Sequence, residues 1–260
     1  MKKFRKKTFY LILTIFLSFN HLNSAEMTEP IKVNWSFKGI TGKFDRASLQ
    51  RGFQVYKEVC ASCHSMQYLS YRNLGEPGGP EFSEEEVKAI AASFEVTDGP
   101  DSQGEMFTRP GRPSDRFVSV YPNVEAATAA NGGAYPPDMS VLVKSRKGGA
   151  DYIYSVLMGY DEPPANLELD DGVYYNKYMD GNKIKMAKPL MEGIITYSDG
   201  TNATEDQMAK DVTAFLTWAA EPHLEARHKM GFKVIIFLII LTLLVYFSMK
   251  RIWSRIDTEV

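Results

Sequence analysis

The sequence predicts a mainly α-helical domain with long Pro/Gly-rich loops, followed by one C-terminal transmembrane helix. Three observations carry this expectation. Apolar residues recur at helical spacing in four separate segments, no segment keeps up the apolar/polar alternation of a half-buried strand, and residues 230–249 form a nearly unbroken apolar run. The 260 residues are 44% hydrophobic and 24% charged, a globular composition that excludes wholesale disorder. Two cysteines exclude a disulfide scaffold, and a formal net charge of -2 argues against a nucleic-acid binder.

The elements follow in chain order. Lys2, Lys3, Arg5, Lys6 and Lys7 precede an apolar run from residue 8 to 19 and a polar stretch ending Asn23-Ser24-Ala25. This describes a secretory signal peptide over residues 1–25, with cleavage expected near Ala25 and an apolar run too short to span a bilayer comfortably. An uncleaved anchor is the alternative, because Asn23 stands where a small residue is preferred. Leu49, Phe53, Tyr56 and Val59 then share one face of a helix over 49–59, beside Gln50 and Gly52. Ser83 with Glu86 caps a short helix through Ser93, and Asp151 to Met158 forms another. Thr204 and Gln207 make a capping-box pattern that opens a helix with Met208, Val212, Phe215, Leu216 and Ala219 on one face, and Pro222 interrupts it. Between these lie connectors rich in Pro and Gly at 75–80, 99–113 and 132–137, and loops of that length suggest a cofactor holding them in place.

The run from Met230 to Met249 carries one charge, Lys233, close enough to its start to snorkel to the interface. It has no polar face, which favours a transmembrane helix over a buried core helix. Arg227 and Lys229 before it, against Lys250, Arg251 and Arg255 after it, give only a weak vote on orientation. The signal peptide decides: residues 26–226 lie outside the cytoplasmic membrane, and 250–260 form a cytoplasmic tail. The leader holds five basic residues and no acid, and residues 227–260 hold six against two, which leaves 19 Lys+Arg against 30 Asp+Glu, net -11, in the exported domain. That surplus reads either as solubility or as steering of a basic partner, for which Glu84 to Glu86 and the Asp161 to Asp171 stretch are the two candidate acidic patches.

Cys60, Cys63 and His64 form the run CASCH, a C-x-x-C-H haem-attachment motif. Two thiols at this spacing reach the two vinyl groups of one haem while the adjacent imidazole faces the iron. A redox dithiol would want a βαβ context, and a zinc site would want a second ligand pair. Neither is supplied, since His21 lies in the leader, His223 and His228 flank the membrane run, and there is no third cysteine. For the second axial position, Met186 in the polar loop KIKMAKPL has no core face to fill, unlike Met158 and Met208 on apolar helix faces; Met191, Met139 and Met106 stay as alternatives. Arg146 in VKSRKGGADY is a candidate partner for a haem propionate, with an ordinary surface arginine as the competing reading.

The stretches WSFKGITGKFDRASLQRGFQVYKEVCASCHSMQYLSYRNL, ANGGAYPPDMS, RKGGADYIYSVLMGY, KMAKPLMEGIITYSDGT and MAKDVTAFLTWAAEP, followed by the apolar run, closely resemble the cytochrome c1 family. Its members are the membrane-anchored haem subunits of ubiquinol-cytochrome c reductase, the cytochrome bc1 complex. The resemblance runs in order from about Trp35 to Ile252, and the export leader gives it a bacterial cast. It implies an enlarged class I cytochrome c domain in which the helix carrying Gly52 and Phe53 crosses the last soluble helix near Phe215 and Trp218. It implies one haem c bound through Cys60 and Cys63, with His64 and Met186 as axial ligands. It further implies that Arg146 contacts a propionate and that Asn131, Pro136, Pro137 and Tyr152 line the haem pocket. Lys147 departs from mitochondrial relatives, which typically carry histidine there. The function implied is one-electron relay from a Rieske iron-sulfur protein to a cytochrome c, in a complex with cytochrome b, with no acid-base catalytic residue. The place implied is the bacterial cytoplasmic membrane, crossed once, with the haem domain on the periplasmic side. A free-standing membrane-anchored carrier serving an oxidase is the rival within electron transfer; a peroxidase or gas sensor, and a pure assembly scaffold, are the rivals outside it.

Overall fold

A computed structural model describes residues 28–256. The leader and residues 257–260 of the expected tail lie outside the described residues. The helices are α1 (Arg46–Glu58), α2 (Glu84–Ala92), α3 (Val124–Ala130), α4 (Ala150–Met158), α5 (Glu205–Ala220) and α6 (Leu224–Ile256). Two small antiparallel hairpins join β1 (Glu95–Asp98) to β2 (Phe107–Pro110) and β3 (Tyr174–Tyr175) to β4 (Lys183–Ile184).

Local chemistry sets the helix ends. Helix α1 starts three residues before its apolar stripe because the Asp45 carboxylate accepts from the Ala47 and Ser48 backbone N–H groups. At α2 the expected capping box is complete: Ser83 Oγ accepts from Glu86 N–H (3.2 Å) and Glu86 Oε2 from Ser83 N–H (2.8 Å). At α5 only half of the box forms. Thr204 Oγ1 accepts from Gln207 N–H (3.2 Å), but the Gln207 side chain turns forward and donates to Asp211 (3.0 Å). Pro222 does interrupt the chain between α5 and α6.

The core is built on the crossing of α1 and α5. A Cβ added to Gly52 would stand 2.1 Å from the Asp211 carbonyl oxygen and 2.7 Å from Phe215 Cβ, so the helices approach to a distance only glycine allows. Phe53 and Tyr56 then pack on Phe215 with ring centroids 5.7 and 5.8 Å away, and Phe215 packs on Trp218 at 5.5 Å. Beside the crossing, buried Asp211 accepts from Ser48 (2.7 Å) and from Arg51 through two N–H groups (2.8 and 3.1 Å). A buried carboxylate persists because each of its oxygens is bonded. Asp151 in the first turn of α4 is buried in the same way and accepts from Trp35 Nε1 (2.6 Å), Lys38 Nζ (2.8 Å) and Val33 N–H (3.3 Å).

Helix α6 leaves the domain with its apolar residues exposed along its length, and among the described residues it is the one helix long and apolar enough to cross a membrane. Its first turn belongs to the domain. Leu224 and Glu225 are buried, and Glu225 accepts from Phe44 N–H (3.0 Å) and from both terminal nitrogens of Arg46 (2.7 and 3.0 Å). The architecture is therefore a mainly helical domain carrying one membrane-anchoring helix, as the sequence predicts.

Candidate functional site

Helix α1 ends at Glu58 and the chain tightens into a 3₁₀ turn over Cys60–Ser62. Cys63 and His64 N–H both donate to the Cys60 carbonyl (3.1 and 2.9 Å), which folds the motif into one compact turn. The thiols of Cys60 and Cys63 are not joined to each other. Burial pushes the Cys60 thiol up to about 12, and neighbouring Cys63 acts in the same direction.

His64 is buried, and its Nδ1 lies 2.8 Å from the Pro137 carbonyl oxygen. Burial lowers the imidazole pKa, against the opposing pull of that carbonyl and of Asp138. Burial thus favours the uncharged ring over the imidazolium. Nε2 has no hydrogen-bond partner among the described residues. Two unjoined thiols followed by a neutral imidazole with one free ring nitrogen fit a covalently attached haem. Among the described residues no group of three or more His, Cys, Asp or Glu side chains could hold a metal ion, so the zinc reading lacks its second ligand pair.

The 131–140 loop brings several expected residues together. Asp138 Oδ2 accepts from Gln67 N–H (2.9 Å), Ser140 Oγ from Tyr68 N–H (3.0 Å) and the Ser65 carbonyl from Met139 N–H (2.8 Å). These bonds clamp Pro136 and Pro137 against the segment just after His64. At its other end, Asn131 caps α3 and donates to the Ala127 carbonyl (2.7 Å) and the Tyr121 hydroxyl (3.1 Å). Next to it the Gly132 carbonyl accepts from Lys185 Nζ (3.1 Å), which ties the loop to the residue before Met186. One loop therefore touches both His64 and the Met186 segment.

Met186 is half-buried, and its carbonyl accepts from the Tyr160 hydroxyl (3.0 Å). Tyr152 lies on α4 and donates to Met179 Sδ (3.3 Å). Arg146 is exposed, donates to Ser145 Oγ (3.1 Å) and lies close enough to Tyr152 for its charge to act on that phenol. Its placement beside Tyr152 leaves the guanidinium accessible to an anionic group. Sequence patterns do not reveal four further contributors: Tyr56, whose hydroxyl donates to the His64 carbonyl (3.2 Å), Asp138, Tyr160 and Lys185. Asp138 and Lys185 each neighbour an expected residue in the chain, whereas the sequence shows Tyr56 only as part of the apolar helix face.

Comparison with known proteins places this arrangement in a lineage. The family model described as "Cytochrome C1 family" matches residues 35–256. A Rhodospirillum rubrum cytochrome c1 is 49% identical over 241 residues, covering 86% of this chain and 88% of that one. A mitochondrial cytochrome c1 haem protein of Solanum tuberosum is 51% identical over 225 residues, covering 86% and 85%. A Bradyrhizobium diazoefficiens protein named cytochrome b/c1 is 50% identical over 239 residues, which cover 85% of this chain; the chain spans 35% of that longer relative. The matched region takes in the haem-attachment motif, the α1–α5 crossing and the apolar helix alike, and the chain belongs to the cytochrome c1 family.

Proposed function

We propose that this chain holds one haem c, attached through Cys60 and Cys63 and ligated by His64 and Met186. In this reading it relays single electrons from a Rieske iron-sulfur protein to a cytochrome c as the haem subunit of a ubiquinol-cytochrome c reductase. The observation that carries the proposal is the fixed imidazole: His64 offers Nε2 beside two unjoined thiols, and one loop connects it to the Met186 segment. When bound, the haem supplies a one-electron couple. The chain's own residues hold and tune it. Pro137 fixes the imidazole proton on Nδ1, Asn131, Pro136 and Tyr152 line the pocket, and Arg146 pairs with a propionate. Ligation by Met186 would raise the potential of the bound haem and would keep small oxidants away from its iron. The domain faces the periplasm and is fastened by α6 to the bacterial cytoplasmic membrane, next to cytochrome b.

The acidic surplus takes a definite place in this reading. Glu84 pairs with Lys88 and Glu86 is spent on its capping box, which leaves Glu85 as the one carboxylate of that run without a salt bridge or cap among the described residues. The carboxylates of Asp161, Glu162, Glu168, Asp170 and Asp171 are exposed and form no salt bridge among the described residues. That supports the 161–171 stretch, rather than 84–86, as the surface that meets a basic cytochrome c.

The test is purification from membranes with an inventory of haem and subunits. Haem that stays on the chain through denaturing electrophoresis, is lost in Cys60→Ala, and accompanies cytochrome b and a Rieske protein supports the proposal. A haem-bearing chain that purifies without cytochrome b points instead to a free-standing carrier.

A further inference from the structure

After α4 the chain runs out through the acidic 161–173 loop and returns as the β3–β4 hairpin, which leads directly into Met186. The return is pinned. Asn176 is fully buried; its Nδ2 donates to the Val156 carbonyl near the end of α4 (2.7 Å), and its Oδ1 accepts from Tyr178 N–H (3.1 Å). Its backbone N–H donates to the Asn182 carbonyl (3.0 Å), and Lys177 N–H to the Gly159 carbonyl (2.9 Å). A Cβ on Gly159 would stand 2.6 Å from Tyr178 Cδ2 and 2.8 Å from Asn176 Oδ1, so the hairpin meets the helix end at a distance that requires glycine. Tyr160 pairs with Asn176 in an isolated antiparallel bridge, and its hydroxyl reaches the Met186 carbonyl at 3.0 Å.

We infer that Asn176 and Tyr160 are positioning residues for Met186: the buried amide fixes the hairpin to α4, and the phenol fixes the backbone of the methionine itself. The inference rests on Met186 as the sixth ligand, as proposed above. A thioether is a weak ligand, so its hold on a metal depends on how little freedom its loop retains when it lets go. The amide is specific to the task. Asp at 176 would keep the acceptor for Tyr178 N–H but turn an oxygen toward the Val156 carbonyl, where a donor is required.

The experiment uses the full haem-loaded chain in detergent and compares wild type, Tyr160→Phe, Asn176→Asp and Met186→Leu. It reads the weak red sulfur-to-iron charge-transfer band of the ferric form and carbon monoxide uptake by the ferrous form at fixed pressure. Tyr160→Phe removes one hydrogen bond without opening a cavity. It should retain haem and helix content while raising the ratio of carbon monoxide-bound to free haem by about five- to tenfold. Asn176→Asp, where it folds, should raise it further and weaken the band. The inference is overturned if Tyr160→Phe keeps wild-type band and uptake while Met186→Leu loses the band and gains uptake. If Met186→Leu itself leaves both unchanged, the ligand lies elsewhere and the underlying reading falls with it.

Discussion

His64 Nδ1 donates to the backbone carbonyl of Pro137 across 2.8 Å. Because a carbonyl only accepts, the bond assigns the imidazole proton to Nδ1 and leaves the lone pair on Nε2. The loop that supplies this carbonyl is itself held by Asp138, which accepts from Gln67 N–H (2.9 Å) and Ser140 N–H (2.8 Å). Asp138→Ala should therefore cost about 1–2 kcal/mol of stability, seen as a lower denaturant midpoint at unchanged slope. A wild-type midpoint would show that the clamp contributes nothing.

Met186→Leu should lower the haem reduction potential by on the order of hundreds of millivolts, within the roughly 0.8 V range that axial ligands span. Redox titration of the purified chain reads this directly, and an unchanged potential would assign the sixth position to another group.

Gly52→Ala should be among the most damaging single changes in the domain. Its new methyl would meet the α5 backbone at 2.1 Å, and backbone cannot rotate away as a side chain does. A cost of about 3 kcal/mol or more, or failure to accumulate in the membrane, is expected from such overpacking. Tolerance of alanine, measured by thermal unfolding, would mean that α1 and α5 separate more easily than their packing indicates.

Asp151 gives the domain an acid-sensitive joint. Burial works to raise its pKa, but Lys38, Trp35 and the Val33 N–H together hold the carboxyl below the ordinary value. A carboxyl whose folded-state pKa is depressed stabilises the fold fully above its unfolded value, about pH 4, and that contribution is lost as pH falls through the lower folded-state value. The stability difference between wild type and Asp151→Asn should be constant near neutrality and shrink below about pH 4. Denaturation curves at several pH values check this; a difference that grows on acidification would reverse the sign of the argument.

Cytochrome c reduction should slow as ionic strength rises if the exposed carboxylates at 161–171 steer a basic partner. Charge-neutralising Asp170→Asn with Asp171→Asn should flatten that dependence, whereas Glu84→Gln should not, because Glu84 is already paired with Lys88. Stopped-flow rates at low and high salt separate the two surfaces.

What could be read from the sequence was whatever a local pattern encodes. The stripe of α1 and the face of α5 are periodic because each buries one side, and the five residues from Cys60 to His64 carry their chemistry contiguously. The β1–β2 hairpin was hidden because its residues are exposed or half-buried; Arg109, bonded to both Asp98 and Asp115, fixes it through charge instead of an apolar face. Helix α3 buries only Ala127 and so shows no stripe. The half-formed box at Thr204 has a tertiary cause, since Asp211 draws the Gln207 amide away. At the site, the bonds from Tyr160 to Met186 and from Lys185 to Gly132 join residues 26 and 53 positions apart. No local pattern records pairings at such separations.

The grip of Arg46 and Phe44 on Glu225 bears on how electrons travel. The membrane helix begins inside the domain, with its first acidic side chain buried and bonded to three N–H groups of the chain that opens α1. There is no slack between the start of α6 and the domain, so the two cannot swivel freely against each other. In the proposed relay the haem site would then stand at a set height and bearing, like a fixed platform, and the distance between donor and acceptor would be covered by the partners that come and go.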